Sequence, residues 1–207
     1  MKGLFITFEG LDGCGKTTQI ELLKKWLVDK GYDVVLTREP GGTQISERIR
    51  DIILDVSNDN MSYTCEMMLY AAARAQIIKE VIAPSLEKGC IVLCDRFVDS
   101  SYVYQGIARG LGVDVVERVN EIALDGVYPD VTLFFDISPK ESKKRRAVAT
   151  GEDRIEKEKL SFHEKVYQGY KYVAQMYPNR IKVIDAGGSV DKVHKEILAC
   201  ISKKISE

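Results

Sequence analysis

Apolar side chains follow two rhythms along this chain. Five short runs, Leu4–Phe8, Asp33–Thr37, Cys90–Cys94, Val131–Asp136 and Ile181–Asp185, are rich in β-branched and aromatic residues and are mostly unbroken rather than alternating. Strands covered on both faces of a parallel sheet read this way. Between the runs the spacing is helical. Ile20, Leu23 and Leu27 share a face, with Gly31 placed to end that helix. Ile45, Ile49, Ile52, Ile53 and Val56 form a stripe at i, i+4, i+7, i+8 and i+11. A long helix is expected from Thr64 to about Leu86, with Pro84 a possible break, and another from Val113 to Leu124. Ser138-Pro139-Lys140-Glu141 reads as a capping box with proline in the first turn. Phe162, Val166, Tyr170, Val173 and Tyr177 share one face; Val193, Ile197, Ile201 and Ile205 form a last stripe, with Ser189 as its cap. Strands alternating with helices predict parallel βα units, an α/β fold.

Length and composition narrow the class. The 207 residues are 45% hydrophobic and 29% charged, the profile of one globular domain over 1–207. Thirty basic against thirty-one acidic residues leave a net charge of −1, which argues against a nucleic-acid partner held by an overall basic surface. The five cysteines are scattered without a C-x-x-C pair, and there are two histidines. The expectation is free thiols in a reducing cytoplasm rather than a disulfide or zinc framework. No run approaches ~20 apolar residues, so no membrane span is expected. One stretch, Lys140–Glu158, is dense in charge with Gly151 at its middle; it reads either as a solvated helix pair or as a mobile flap.

One motif carries chemistry without help. Gly10-Leu11-Asp12-Gly13-Cys14-Gly15-Lys16-Thr17 fits G-x-x-x-x-G-K-[ST], after a predicted strand and before a predicted helix. Glycines let consecutive N–H groups converge on one anion, and the helix N-terminus adds partial positive charge. Gly10 to Thr18 would hold the phosphates of a nucleoside triphosphate, Lys16 would reach the β- and γ-phosphates, and the Thr17 hydroxyl would sit on Mg²⁺. Asp12, a carboxylate beside a triphosphate, implies a second duty: accepting from a sugar hydroxyl or holding a cation. No N-K-x-D guanine reader is present. The run ending at Asp95 is followed by Arg96, which cannot serve as a hydrolytic base but can fork onto a phosphate. The balance moves from hydrolysis towards transfer to a phosphorylated acceptor.

Together these residues resemble the bacterial-type thymidylate kinases, P-loop nucleoside monophosphate kinases that move the γ-phosphoryl of ATP to thymidine monophosphate. The resemblance runs over nearly the whole chain: FEGLDGCGKTT, REPGGT at Arg38–Thr43, Ile49-Arg50, LYAAAR at Leu69–Arg74, DRFVDSSYVYQG at Asp95–Gly106, YPD at Tyr128–Asp130 and GEDRIE at Gly151–Glu156. It implies a three-layer P-loop NTPase sandwich, a five-stranded parallel sheet flanked by helices, with a small mobile LID at about 139–158. It implies that Arg96 and Arg50 clamp the acceptor phosphate, with Glu39 nearby, and that Arg74 reaches a thymine carbonyl while Tyr70, where the family more often has Phe, stacks on the ring. Ser101 and Gln105, four apart, would read the polar edge of the base, Ser100 would also bind the substrate, and Tyr104 would disfavour a 2′-hydroxyl. Asp95 would approach Mg²⁺ through water, or an arginine. The loop carries Gly13 where some members place an arginine, so the γ-phosphate cation is expected from Arg145, Arg146 or Arg154. The resemblance also implies a homodimer, for which Met67, Met68, Ile77, Ile78 and Val81 are candidates, although the same residues could equally be core. Three rivals stand beside this reading. Another monophosphate kinase would differ in its acceptor, a deoxynucleoside kinase would use a carboxylate such as Glu9 as base, and an ATP-dependent switch would transfer nothing.

Overall fold

The computed structural model describes residues 3–146 and 153–206, with the Arg146 side chain left aside. Five parallel strands, β1 (Leu4–Glu9), β2 (Val34–Arg38), β3 (Ile91–Asp95), β4 (Val131–Asp136) and β5 (Ile181–Asp185), lie in the order β2-β3-β1-β4-β5. Each predicted run agrees with its strand to within one residue at either end.

Period-two alternation sorts the strand side chains into two cores. Phe5, Val92, Cys94 and Phe134 face one way, and Ile6, Phe8, Leu93, Leu133 and Phe135 the other, all essentially inaccessible to water. The second face is covered by α1 (Lys16–Asp29) through Ile20, Leu23 and Leu27, and by α9 (Val190–Ser206) through Val193, Ile197 and Ile201. The first is covered by a helical layer that includes α3 (Tyr63–Ile77), α6 (Val113–Leu124) and α8 (Leu160–Met176), whose Phe162, Val166, Tyr170 and Val173 point inward. At roughly 1.5–3 kcal/mol per fully buried large apolar side chain, these layers dominate the stability of the sheet. The architecture is the expected sandwich.

The caps agree with the sequence. Ser138 Oγ accepts from Glu141 N at 3.3 Å to start α7 (Pro139–Arg146), and Ser189 Oγ accepts from Lys192 N at 3.3 Å. Gly31, at φ +87°, follows α1. Three points left open by the sequence are resolved. The long helix does not break at Pro84; after α3 it widens into a π-helical stretch, Ile78–Ile82, before α4 (Ala83–Glu87). A proline ring clashes with the carbonyl four residues back, and a wider turn relieves that contact. In α2 (Gln44–Leu54), only Ile53 of the apolar stripe is buried, while Ile45, Ile52 and Val56 are half exposed and Val56 lies past the helix end. Of the residues proposed for a dimer face, Met67, Ile77 and Ile78 are core, and Met68 is the one exposed. The sequence reading did not identify α5 (Val98–Ser101) and the π-helical stretch Tyr102–Ala108 that follows it. No described helix is long and apolar enough to cross a membrane.

Candidate functional site

The C-terminal ends of β1, β2 and β3 converge, with Phe8 and Arg38 both in register with Asp95. In open α/β sheets ligands bind at this edge. The loop from Gly10 to α1 turns there with φ of +142° at Gly10, +83° at Gly13 and +97° at Gly15, all conformations that favour glycine. A Cβ at Gly10 would stand 3.0 Å from Phe135 O. No side chain caps α1, so its first N–H groups stay open to an anion. Thr17 and Thr18 on its first turn are exposed. Lys16 is buried and folds back over the loop, Nζ donating to Gly10 O and Leu11 O at 3.2 Å each and to Cys14 Sγ at 3.8 Å. An arriving phosphate would replace these neutral acceptors with a charged one.

Beside the loop lies a cavity open to solvent. All ten residues expected to bind the acceptor line it: Asp12, Glu39, Arg50, Tyr70, Arg74, Arg96, Ser100, Ser101, Tyr104 and Gln105. They come from the loop after β1, the turn after β2, α2, α3, the turn after β3, and α5 with its π-helical extension. Phe97, Leu54, Asp153, Ile155 and Glu156 also line it and were not singled out from sequence. Phe97 lies within DRFVDSSYVYQG and Asp153, Ile155 and Glu156 within GEDRIE, but neither motif's spacing marks them as lining residues.

Arg96 joins the two halves. It adopts φ +66°, a left-handed conformation uncommon outside glycine, with its N–H held by Phe8 O at 2.9 Å. Its guanidinium donates to Asp12 Oδ1 at 2.7 Å and to Tyr170 OH at 3.1 Å, and lies over the Tyr104 ring. Its acidic partner is Asp12, which takes the cation-holding duty. Arg50, half-buried, donates to Pro40 O at 2.9 Å, as Arg38 does.

Arg74 is 1% exposed and keeps four bonds: Nε and Nη2 to Glu39 Oε2 at 2.9 and 2.6 Å, and Nη1 to Ser101 Oγ at 3.0 Å and to Asn120 Oδ1. One of its five N–H groups remains for the cavity. The other Glu39 oxygen, Oε1, is buried without a partner, and so is Asp95 Oδ1. Burial pushes the Glu39 carboxyl up to about 7 against the opposing pull of Arg74. Tyr104 is buried edge-on to Phe162 and Tyr170.

The rival base does not reach the cavity. Glu9 is fully buried and does not line it. Its oxygens accept from Phe97 N at 2.8 Å, Ser100 Oγ at 2.6 Å and Tyr170 OH at 2.8 Å. Burial, then the nearby Asp99, raises its carboxyl above the usual range.

The charged stretch is divided. Ser142 Oγ on α7 donates to Asp12 O, fastening that helix to the phosphate loop. Arg145 donates to Ala186 O at 2.8 Å and lies 3.7 Å from Glu141. Arg154 is buried away from the loop, donating to Ile53 O at 2.8 Å and Glu66 Oε2 at 2.6 Å. The Arg146 side chain, Gly151 and the register of 147–152 lie outside the described residues.

Comparison with known proteins points one way. The family model described as "Thymidylate kinase" matches residues 8–197. A thymidylate kinase of Thermoanaerobacter sp. (strain X514) is 52% identical over 203 residues, 98% of this chain and 99% of that protein. One from Finegoldia magna is 48% identical over 201 residues, 97% and 98% of the two chains. A crystal structure of thymidylate kinase from Ehrlichia chaffeensis superposes with a TM-score of 0.78 at 32% identity, covering 97% of this chain and 99% of that one.

Proposed function

The chain belongs to the thymidylate kinase family and phosphorylates dTMP with ATP as co-substrate; from that premise we propose how its own residues do so. The observation that carries the proposal is the Asp12–Arg96 pair, which sits where the glycine loop and the cavity meet. Gly10 to Thr18 hold the ATP phosphates, with Lys16 swinging from the loop carbonyls onto the β- and γ-oxygens. Arg96 and Arg50 take the dTMP phosphate, Tyr70 stacks on the base, and Arg74, Ser100, Ser101 and Gln105 meet its polar edges. Tyr104 closes the space beside the sugar 2′ carbon.

The acceptor phosphate is already anionic near neutral pH, with a second pKa of about 6, so no general base is required. Positioning and charge neutralisation perform the transfer, and lining up attacker and target is worth roughly 7–11 kcal/mol. The residues fit Mg²⁺: Thr17 offers an exposed hydroxyl, and Asp95 a buried carboxylate oxygen with no other partner. Bound there, Mg²⁺ would neutralise phosphate charge. Because Arg154 is engaged with Glu66, we assign the γ-phosphate cation to α7, through Arg145 or Arg146, and give Arg154 the work of anchoring the lid at about 139–158. The homodimer fits the exposed apolar side chains Ile45, Ile52 and Val56 on and after α2 and Met68 on α3, two helices that pack together.

Replacing Arg96 by alanine tests the joint. In an ADP-release assay over a panel of nucleoside monophosphates, the wild type responds to dTMP. The variant keeps its melting transition and loses roughly 10³-fold or more in kcat/KM, as expected for a cation on the transferring group. Turnover equal to wild type would remove Arg96 from the chemistry.

A further inference from the structure

We propose that Glu66, which does not line the acceptor cavity, sets its base preference by fixing which end of the Gln105 amide faces the nucleotide. This rests on the reading of Gln105 as a contact to the base. Glu66 stands in the first turn of α3, fully buried, on the helix that also carries Tyr70 and Arg74. Three side chains from three parts of the chain donate to its carboxylate. Gln105 Nε2 reaches Oε1 at 2.8 Å, Arg109 reaches both oxygens at 3.2 Å, and Arg154 reaches Oε2 at 2.6 Å. Arg109 also pairs with Glu158 and lies 4.6 Å over the Phe162 ring, so the cluster is packed as well as charged.

An ionised carboxylate has no proton to offer, so only the NH₂ end of an amide can face it. Two arginines beside Glu66 keep it ionised: burial pushes its carboxyl up, but the bonds from Arg109, Gln105 and Arg154 outweigh burial and leave it lowered. With Nε2 turned to Glu66, the carbonyl oxygen is the end of Gln105 left for the cavity that it lines. An acceptor there suits a pyrimidine bearing hydrogen on N3, as thymine and uracil do. Cytosine presents a bare N3, so two acceptors would meet and one desolvated polar atom would go unpaired. Glu66 is therefore a positioning residue, and its charge is read out at the base through one amide.

Glu66→Gln separates this from a packing role. Its single carbonyl oxygen would turn to the two arginines and its NH₂ to Gln105, which then flips and presents a donor to the cavity. With ATP saturating, the ratio of kcat/KM for dTMP to that for dCMP falls about tenfold or more, the worth of one buried hydrogen bond, while the KM for ATP holds. An equal loss on both substrates, or an unchanged ratio, overturns the proposal. Gln105→Ala is measured alongside. If it lowers the ratio and Glu66→Gln does not, Glu66 alone is misassigned; if it leaves the ratio at wild type, the base contact itself is wrong and the proposal falls with it. Should Glu66→Gln lose its cooperative melt, Glu66→Asp keeps the charge but draws the carboxylate one methylene back, and the same ratio decides. In the wild-type enzyme the Gln105 amide protons, followed by NMR, stay protected from solvent exchange with and without dTMP. Their exposure on binding would also overturn it.

Discussion

Glu39 is the residue at which burial and charge are most directly opposed. One oxygen is held by Arg74 and the other has no partner, in a setting that raises the carboxyl to about 7 from 4.5. Between those values the folded chain keeps a proton that the unfolded chain releases. Stability from this group is therefore full below pH 4.5, falls as pH rises through the window, and levels off above 7. Urea melts across that range should show a downward slope in the wild type of at most about 1.4 kcal/mol per pH unit from this group, and Glu39→Gln should flatten it. Identical slopes would mean that Glu39 is ionised throughout. Residues such as Glu39, Arg74 and Arg96 were legible because they sit in short motifs with fixed spacing. The roles of Glu66, Arg109 and the Tyr170 hydroxyl were not, because two buried polar clusters, one joining α3 to the segment after the π-helical stretch and one joining α8 to Ser100 and Glu9, leave no local pattern in the chain.

At the scale of the element, period and cap residues carried most of the fold. The central strands β1, β3 and β4 were readable because both faces are buried, which makes their apolar runs continuous, while the edge strands β2 and β5 were readable from their β-branched residues although they are partly exposed. The segment Val98–Ala108 was not, since a four-residue α-turn running into a wider helix shows neither full period. The α2 stripe is a different case: its period was plain, but a period identifies an apolar face and not what covers it. Within one chain Ile53 is covered, while Ile45 and Ile52 are not. A second copy is the occupant proposed here. Ile52→Asp changes an exposed side chain, so it should keep the melting temperature to within a few degrees and move the sedimenting mass from dimer to monomer. A wild type that sediments as a monomer, or a variant that stays dimeric, would contradict that use of the face.

Across the whole molecule, the sheet order places three strand ends beside one another. That arrangement lets the loop after β1 meet the turns after β2 and β3. The two anion sites proposed for ATP and dTMP would then share a boundary, with Asp12 on one side and Arg96, its hydrogen-bond partner, on the other. The like charges of two nucleotides would repel at that boundary unless cations lie between them, and Lys16 on the loop and Arg96 and Arg50 in the cavity are cations placed to do so. A single molecule carrying adenosine and thymidine at the two ends of one polyphosphate tests this directly. The account predicts inhibition competitive with both ATP and dTMP, and weakened in the Arg96→Ala variant. Competition with one substrate alone would place the two phosphates apart and contradict the end-to-end arrangement.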